Sequence, residues 1–200
     1  MKLQALFIAL LMVVPVVGIF NEKYEAKNET ESIDNIHFQD DGEYIKAIAT
    51  DALTLRLPGY PMLPYYTKTY EYPVGTKIDS IDVMARGINR IKLEKKISPA
   101  PKAMTHNMKI SEMEVKEGDI YFEDTFYPEN WYDYRIGVGI KDGKRVIFLT
   151  IYLYPIRYNA YRNEAMQATD FEIKIDYRMP EEAMLNKDEY DLLIISPDSW

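Results

Sequence analysis

The stretch YRIGVGIKDGKRVIFLTIYLYP, residues 134–155, contains two strand patterns around a tight turn. Every second residue from Tyr134 to Ile140 is apolar, and this period of two is typical of a β-strand. Asp142-Gly143 fits a type I′ turn, because glycine accepts the positive φ that this turn requires. The run after Arg145 is apolar at successive positions, which predicts a central strand with both faces covered. The stretch therefore predicts an antiparallel hairpin inside a larger sheet.

The same alternation recurs on both sides of this hairpin. Ile81, Val83 and Ala85 alternate with more polar neighbours, and the segment from Phe171 to Tyr177 has the most regular period of two in the chain. No window of similar length before residue 178 has a helical period. We therefore predict an all-β fold, an antiparallel β-sandwich over residues 42–178.

Composition limits the functions that are open to this chain. Its 200 residues are 47% hydrophobic, which is enough to build a core, and its net charge of -8 argues against a nucleic-acid partner. The chain has no cysteine. This excludes a disulfide scaffold and a cysteine nucleophile within these residues.

The N-terminus has the pattern of an export signal. Met1-Lys2 is followed by an apolar run to Phe20, and small residues precede a cleavage point at Gly18. We predict a signal peptide at 1–18, a secreted or cell-surface location, and no membrane contact after signal removal. The alternative is a retained anchor, because the run approaches the ~20 residues that span a bilayer. Pro15 and the polar stretch that follows favour removal.

A charged segment with few large apolar groups follows the signal. We predict a flexible leader at 19–41, since such a composition buries little apolar surface. Asn28 begins an Asn-Glu-Thr triplet and is a candidate glycosylation site.

The composition of the chain changes again near residue 180. Residues 179–189, MPEEAMLNKDE, are acidic and contain Pro180, which predicts a linker or a short helix. EYDLLIISPDSW, residues 189–200, carries an unbroken apolar run from Leu192 to Ile195. Such a run predicts a strand buried on both faces, as in a parallel sheet, and therefore the start of a second domain at 190–200.

Residues with catalytic or metal-binding chemistry are few. His37 and His106 are the only histidines, and neither has a nucleophile motif nearby, so we predict surface positions for both. Two carboxylate clusters could attract calcium, but their spacing matches no regular loop and we expect solvated turns and no cofactor. The clusters are Asp40, Asp41, Glu43 and Asp119, Glu123, Asp124.

The segment LPGYPMLPYYTKTYEYP, residues 57–73, combines four prolines with aromatic side chains. One interpretation is a proline-rich ligand for an aromatic groove. The simpler one, which we prefer, is an extended edge segment that closes the sandwich with its aromatic side inward.

Three segments together resemble the prodomain of the gingipain-like cysteine peptidases. In that family a Pro-Gly-x-Pro-x-Leu-Pro segment opens the domain, a Tyr-Pro pair precedes a hairpin, and a Pro-x-x-Tyr-Asn turn precedes the last strand. The matching positions here are Pro58 to Pro64, Tyr127-Pro128 and Pro155 to Asn159. Ala160 stands where the family commonly has proline. This difference alters one turn and leaves the order and spacing of the three segments unchanged.

The resemblance implies a function for the whole chain. Residues 190–200 are similar to the first strand of the family's caspase-like α/β peptidase domain. The resemblance therefore implies the N-terminal part of an exported cysteine-peptidase precursor, with catalytic residues beyond residue 200. The prodomain would assist folding and cover the active site of its own peptidase domain, in cis, until it is cut away.

Two alternatives and one processing hypothesis remain. The domain could be a secreted, non-catalytic β-sandwich that binds a surface or partner, or, with least support, a self-contained hydrolase. If the parent peptidase prefers basic residues, Arg178 and Lys187 are the candidate processing sites. Lys187 is the better candidate, because Arg178 ends a strand and is followed two residues later by Pro180.

Overall fold

The computed structural model describes residues 23–33, 35–102 and 115–180, and these residues form β-strands joined by short turns. The described residues contain no α-helix, and therefore no helix among them that could cross a membrane. All strand pairs are antiparallel, which confirms the predicted fold class. The strands are β1 Lys23–Ser32, β2 His37–Asp41, β3 Tyr44–Ile48, β4 Leu53–Thr54, β5 Pro64–Pro73, β6 Lys77–Arg86, β7 Asn89–Lys92, β8 Tyr132–Lys141, β9 Lys144–Leu153, β10 Ile156–Asn159, β11 Glu164–Gln167 and β12 Asp170–Met179, with a 3-10 helix at Asp119–Tyr121.

Two sheets form the sandwich. One has the order β1-β12-β6 and the other β4-β5-β9-β8. Alternate residues of β5, β9 and β12 point between the sheets, as the period of two predicts. The buried side chains there are Ile33, Tyr70, Tyr72, Leu149, Ile151, Leu153, Ala168, Phe171, Ile173 and Ile175.

The hairpin formed by β8 and β9 has the predicted turn. Lys141 pairs with Lys144, and the two residues between them, Asp142 and Gly143, have φ of 51° and 74°. Two successive positive φ angles define the type I′ turn. Strand β9 lies between β5 and β8, so its central position is confirmed. Only its Leu149 face is fully buried, and the opposite face is half-buried rather than covered.

A second, smaller core lies beside the sandwich. It is built by β3, β7, β10, β11 and the 3-10 helix, and Ile36 packs against both cores. Tyr121 is almost completely buried there, and its hydroxyl donates to the carbonyl of Ile97 at 2.6 Å. Tyr158 donates to Asn163 Oδ1 at 2.6 Å. Burial raises the pKa of Tyr158 to about 12, so this buried hydroxyl stays protonated as a donor.

The first part of the proline-rich segment makes a turn, in which the Tyr60 N–H donates to the Leu57 carbonyl at 2.9 Å, and Leu63 is buried in the second core. Pro61 bridges to Pro99, and Pro58 bridges to Ala100. The strand that follows, β5, pairs with β9 along its length but with β4 at only two positions. Tyr70 and Tyr72 point into the core. The described residues therefore support the edge-segment interpretation only for the part that forms β5, with Tyr70 and Tyr72 inward.

The predicted flexible leader is wrong for residues 23–41. Strand β1 pairs with β12 over all ten residues, β2 pairs with β3, and Ile33 is 4% exposed in the main core. The domain therefore begins well before residue 42. Residues 1–22 lie outside the described part of the chain.

The ordered β1 follows from hydrogen bonds rather than from apolar burial. The hydroxyls of Tyr177 and Tyr70 donate to Glu25 and Glu29, each at 2.9 Å, and Lys68 lies 2.7 Å from Glu31. These partners belong to β12 and β5, so β1 is fixed to both sheets. A polar composition predicts disorder only when its polar groups have no partners in the fold.

Candidate functional site at the end of strand β12

The end of β12 precedes the acidic segment in which the sequence predicts processing. The strand is central in its sheet, and its pairing continues to its last residues. Arg178 lies opposite Tyr24 on one side and Lys77 on the other, and Met179 pairs with Lys23. Only Pro180 follows within the described residues. The pairing of β12 therefore continues to within one residue of the end of the described chain.

Arg178 is held in place by a charged fork. Its Nε lies 2.9 Å from Asp79 Oδ2, and its Nη2 lies 2.6 Å from Asp79 Oδ1. The guanidinium also lies over the ring of Tyr24, 5.6 Å from the centroid. Two N–H groups that bind one carboxylate fix both the orientation of the guanidinium and its distance from the carboxylate. Arg178 is the last residue but one of β12 and is held in the sheet.

This geometry protects the peptide bond after Arg178. A protease binds its substrate as an accessible, extended segment that can be drawn into the active site. Here both neighbours of β12 would have to separate, and the contact with Asp79 would have to break, before the bond could enter such a cleft. The other candidate, Lys187, lies outside the described residues, as do Gly18 and His106.

Asn28 and His37 lie on strands. Asn28 is an exposed residue of β1 and pairs with Lys174, so its side chain is accessible for modification. His37 is exposed as predicted and begins β2, with its Nδ1 3.4 Å from the carbonyl oxygen of Asn35. Among the residues that the structure describes, neither Asn28 nor His37 belongs to a set of metal ligands.

The first carboxylate cluster is engaged by lysines. Asp40 lies 2.5 Å from Lys95, and hydrogen bonds from Lys95 and the Gly42 N–H hold the pKa of Asp40 below its usual value. Asp41 lies 2.8 Å from Lys46. These partners use the oxygens that a cation would need.

The second carboxylate cluster is dispersed. Asp119 opens the 3-10 helix, whereas Asp124 pairs with Arg162 at 2.5 Å and accepts from Asn159 at 2.8 Å. Among the described residues, no group of three or more histidine or acidic side chains is placed to hold a metal.

Sequence reasoning missed the contacts between glutamate and tyrosine that attach β1. Hydrogen bonds from Lys23 and from Tyr177 lower the pKa of Glu25. Partial burial acts to raise the pKa of Glu29, but hydrogen bonds from Lys27 and Tyr70 outweigh it and lower that pKa. The available signal was the alternation of charged with smaller residues in KYEAKNETES, which has the period of two of a strand.

The fold and the end of β12 define a class of protein: an all-β domain whose last described strand is central in its sheet and is followed in the sequence by an acidic segment. Solved structures share this fold. A complex of the pro- and mature domains of RgpB from Porphyromonas gingivalis aligns with 19% identity and a TM-score of 0.57, covering 80% of this chain and 83% of that one. A structure on the zymogenic latency of gingipain K from the same organism aligns with 14% identity and a TM-score of 0.64, covering 80% and 94%.

The family assignment rests on the sequence. The family model Propeptide_C25, the gingipain propeptide, matches residues 32–193. The chain belongs to this propeptide family, and its described domain is the propeptide of a gingipain-like peptidase. A search of curated proteins gave no match.

Proposed function

We propose that this domain keeps its own peptidase domain inactive and assists its folding, in cis, until the connection between them is cut. The observation that carries the proposal is the match of the propeptide family to residues 32–193. The fold agrees with it, because the domain has two packed cores and can act as a rigid cover. The family match favours this function over a self-contained binding module or hydrolase.

Export belongs to the same proposal. The apolar run before residue 20 acts as a signal peptide cut after Gly18, and the precursor is secreted or held at the cell surface. Asn28 is accessible on β1 and is a glycosylation site if the host glycosylates exported proteins at such triplets.

Processing takes place after Lys187 rather than after Arg178. The support is the contrast between the two positions. Arg178 is paired on both sides and held by Asp79, whereas Lys187 lies in the acidic segment that follows the last described strand. Proteolysis prefers the segment that can be extended at least cost in lost structure.

The precursor that carries the peptidase domain tests latency and processing together. Lys187→Ala should slow release of the mature enzyme, measured by mass spectrometry, and the uncleaved precursor should remain inactive on a small substrate. The matched control is Arg178→Gln, which should mature at the same bond as the wild type. An uncleaved precursor with the full activity of the mature enzyme would contradict the covering role. Unchanged cleavage in Lys187→Ala would contradict only the assignment of the processing site.

Assistance in folding needs a separate measurement. The peptidase domain expressed without residues 1–189 should give little soluble active enzyme, and supplying the prodomain as a second chain should restore it. A full yield without the prodomain would remove the folding role and leave the inhibitory role untouched.

A further inference from the structure

Strand β8 has an apolar face that nothing in the described structure covers. Tyr134, Ile136, Val138 and Ile140 are between 45% and 74% exposed. They lie on the core side of their sheet, because Tyr134 pairs with the buried Ile151 and Ile136 with the buried Leu149. We call these four side chains the β8 face.

The sheet on the other side of the core has three strands, against four in the sheet that β8 ends. Tyr132, at the start of β8, still reaches that sheet, and its hydroxyl donates to the carbonyl of Ile81 at 3.2 Å. Contiguous exposed apolar surface of this kind marks an interaction site.

The backbone of β8 is also open. The strand is the last one in its sheet, and no strand among the described residues pairs with its outer side. Lys141 and Lys144 flank a two-residue turn and form a hydrogen-bonded pair, so every second residue back from Lys141 bonds to β9. The N–H and C=O groups of the four β8 face residues therefore point outward. Consistent with this, the N–H of Tyr134 donates to the Asp133 side chain at 2.8 Å.

The other edges of the two main sheets carry more protection against pairing than β8, whose charged residues are Asp133, Arg135 and Lys141. Proteins block edge pairing with charges, bulges or short strands. Strand β1 alternates lysine and glutamate, β6 carries charged side chains and faces a bulge at Asp176/Tyr177, and β4 has two residues. Strand β8 is ten residues long, has no bulge against β9, and its centre is Ile136-Gly137-Val138-Gly139.

We propose that β8 pairs with β8 of a second copy of this chain, antiparallel, about a twofold axis at Gly137. In this register Ile136 faces Val138 of the other copy, and Tyr134 faces Ile140 of the other copy. The outward N–H and C=O groups of these residues then form hydrogen-bonded pairs between the two strands. Their apolar side chains contact each other on the core side of the joined sheet. Each of these contacts occurs twice, as a twofold interface requires. The proposal does not depend on the covering role.

Charge complementarity favours this register over one shifted to an axis at Val138. With the axis at Gly137, Asp133 lies opposite Lys141 of the second copy, on the outer face of the sheet. An axis at Val138 would instead place Arg135 opposite Lys141, and like charges directly opposite are destabilising. Lys141 already lies 2.6 Å from Glu71, so Asp133 of the second copy would extend an existing ion pair.

Gly137 suits the position on the axis. Directly opposed residues in a non-hydrogen-bonded pair bring their Cα atoms to about 4.5 Å. Gly137 has no side chain to obstruct this approach, and a Cβ built there would meet nothing within 4 Å.

A cysteine at the axis tests the pairing and its register, because the chain has no native cysteine. Gly137→Cys should form a disulfide-linked dimer on mild oxidation, since the Cα separation falls near the disulfide range of about 4.4–6.8 Å. The matched control is Arg135→Cys on the same strand, which lies opposite Gly139 and should cross-link slowly. Equal cross-linking of both variants, or none by Gly137→Cys, would overturn the register.

Sedimentation equilibrium of the purified chain tests the interface without a cross-link. Ile136→Lys should raise the dimer dissociation constant at least about tenfold, because it places a charge opposite Val138 of the second copy. Met84→Lys is the control, on edge strand β6 and equally exposed, at 52% against 51%. It should leave the constant within about twofold. A chain that stays monomeric at about 1 mM, or a dimer insensitive to Ile136→Lys, would refute the proposal.

Discussion

At the scale of single residues, the β8–β9 turn shows how one backbone conformation fixes a register. Asp142 and Gly143 have positive φ, and the pairing of Lys141 with Lys144 follows from that. A slip by one residue would turn the buried side chains of β9 outward. The turn residues thus determine which side of β9 forms the core.

Replacing Gly143 with valine should therefore destabilise the domain. Positive φ is disfavoured for a β-branched side chain, and we expect a loss of about 1 kcal/mol or more in the free energy of unfolding. Chemical denaturation measures it. Gly137→Ala is the control, because Gly137 has no positive φ and an added Cβ meets nothing within 4 Å. Equal stability of Gly143→Val and wild type would argue against the I′ turn.

The contact between Arg178 and Asp79 gives a second prediction at this scale. Asp79→Ala should speed trypsin cleavage after Arg178, because the fork that holds this side chain is lost. The control is Asp82→Ala on the same strand, at a position that lies opposite Lys174 instead of Arg178. The cleavage rate is read by mass spectrometry of the fragments. Equal rates in both variants would show that pairing of β12, rather than the fork, protects the bond.

At the scale of secondary structure, β1 and β8 show what sequence could and could not predict. The β8–β9 hairpin, β6 and β12 were predicted because their alternation of apolar and polar residues reports burial directly. Strand β1 was missed because tyrosine hydroxyls from distant strands, rather than apolar contacts, hold Glu25 and Glu29. The open face of β8 was also missed, since alternation reports which side faces inward but not how far the opposite sheet extends.

The attachment of β1 should depend on pH. The folded-state pKa values of Glu25 and Glu29 lie below the ordinary value of 4.5, so their contribution to stability is present above that pH and is lost as the pH falls through the lowered values. Glu25→Gln/Glu29→Gln should therefore be less stable than wild type at pH 7, and the gap should close in acid. Denaturation at a series of pH values measures this gap, with exposed Glu94→Gln as control. A gap that is unchanged down to about pH 3 would refute the charge-based attachment.

At the scale of the whole molecule, the N-terminal segment joins the two cores. Ile33 is buried in the main core and Ile36 contacts both. The main core is built from strands that are far apart in the chain, since β1 pairs with β12 and β5 with β9. Sequence patterns predicted the main sandwich, but the second core depends on short strands and single side chains such as Tyr121, which carry no periodic signal.

A chain that begins at residue 42 should accordingly be much less stable than one that begins at residue 19. It lacks β1 and β2, and the loss of Ile33 alone is comparable to a core truncation of about 2–5 kcal/mol. Thermal unfolding of the two chains provides the comparison. Equal melting temperatures would mean that β1 adds nothing to the fold.

The measurement that tests the central claim most directly is inhibition in trans. The purified prodomain, added to the mature peptidase of the same precursor, should inhibit it at micromolar concentrations or below, because the covering surface is already folded. Phe171→Ala, which removes a fully buried side chain and should cost about 3–5 kcal/mol of stability, serves as the control and should inhibit less. Dose-dependent inhibition by the folded domain is the expected result. Full activity of the peptidase at a large excess of folded prodomain would contradict the account.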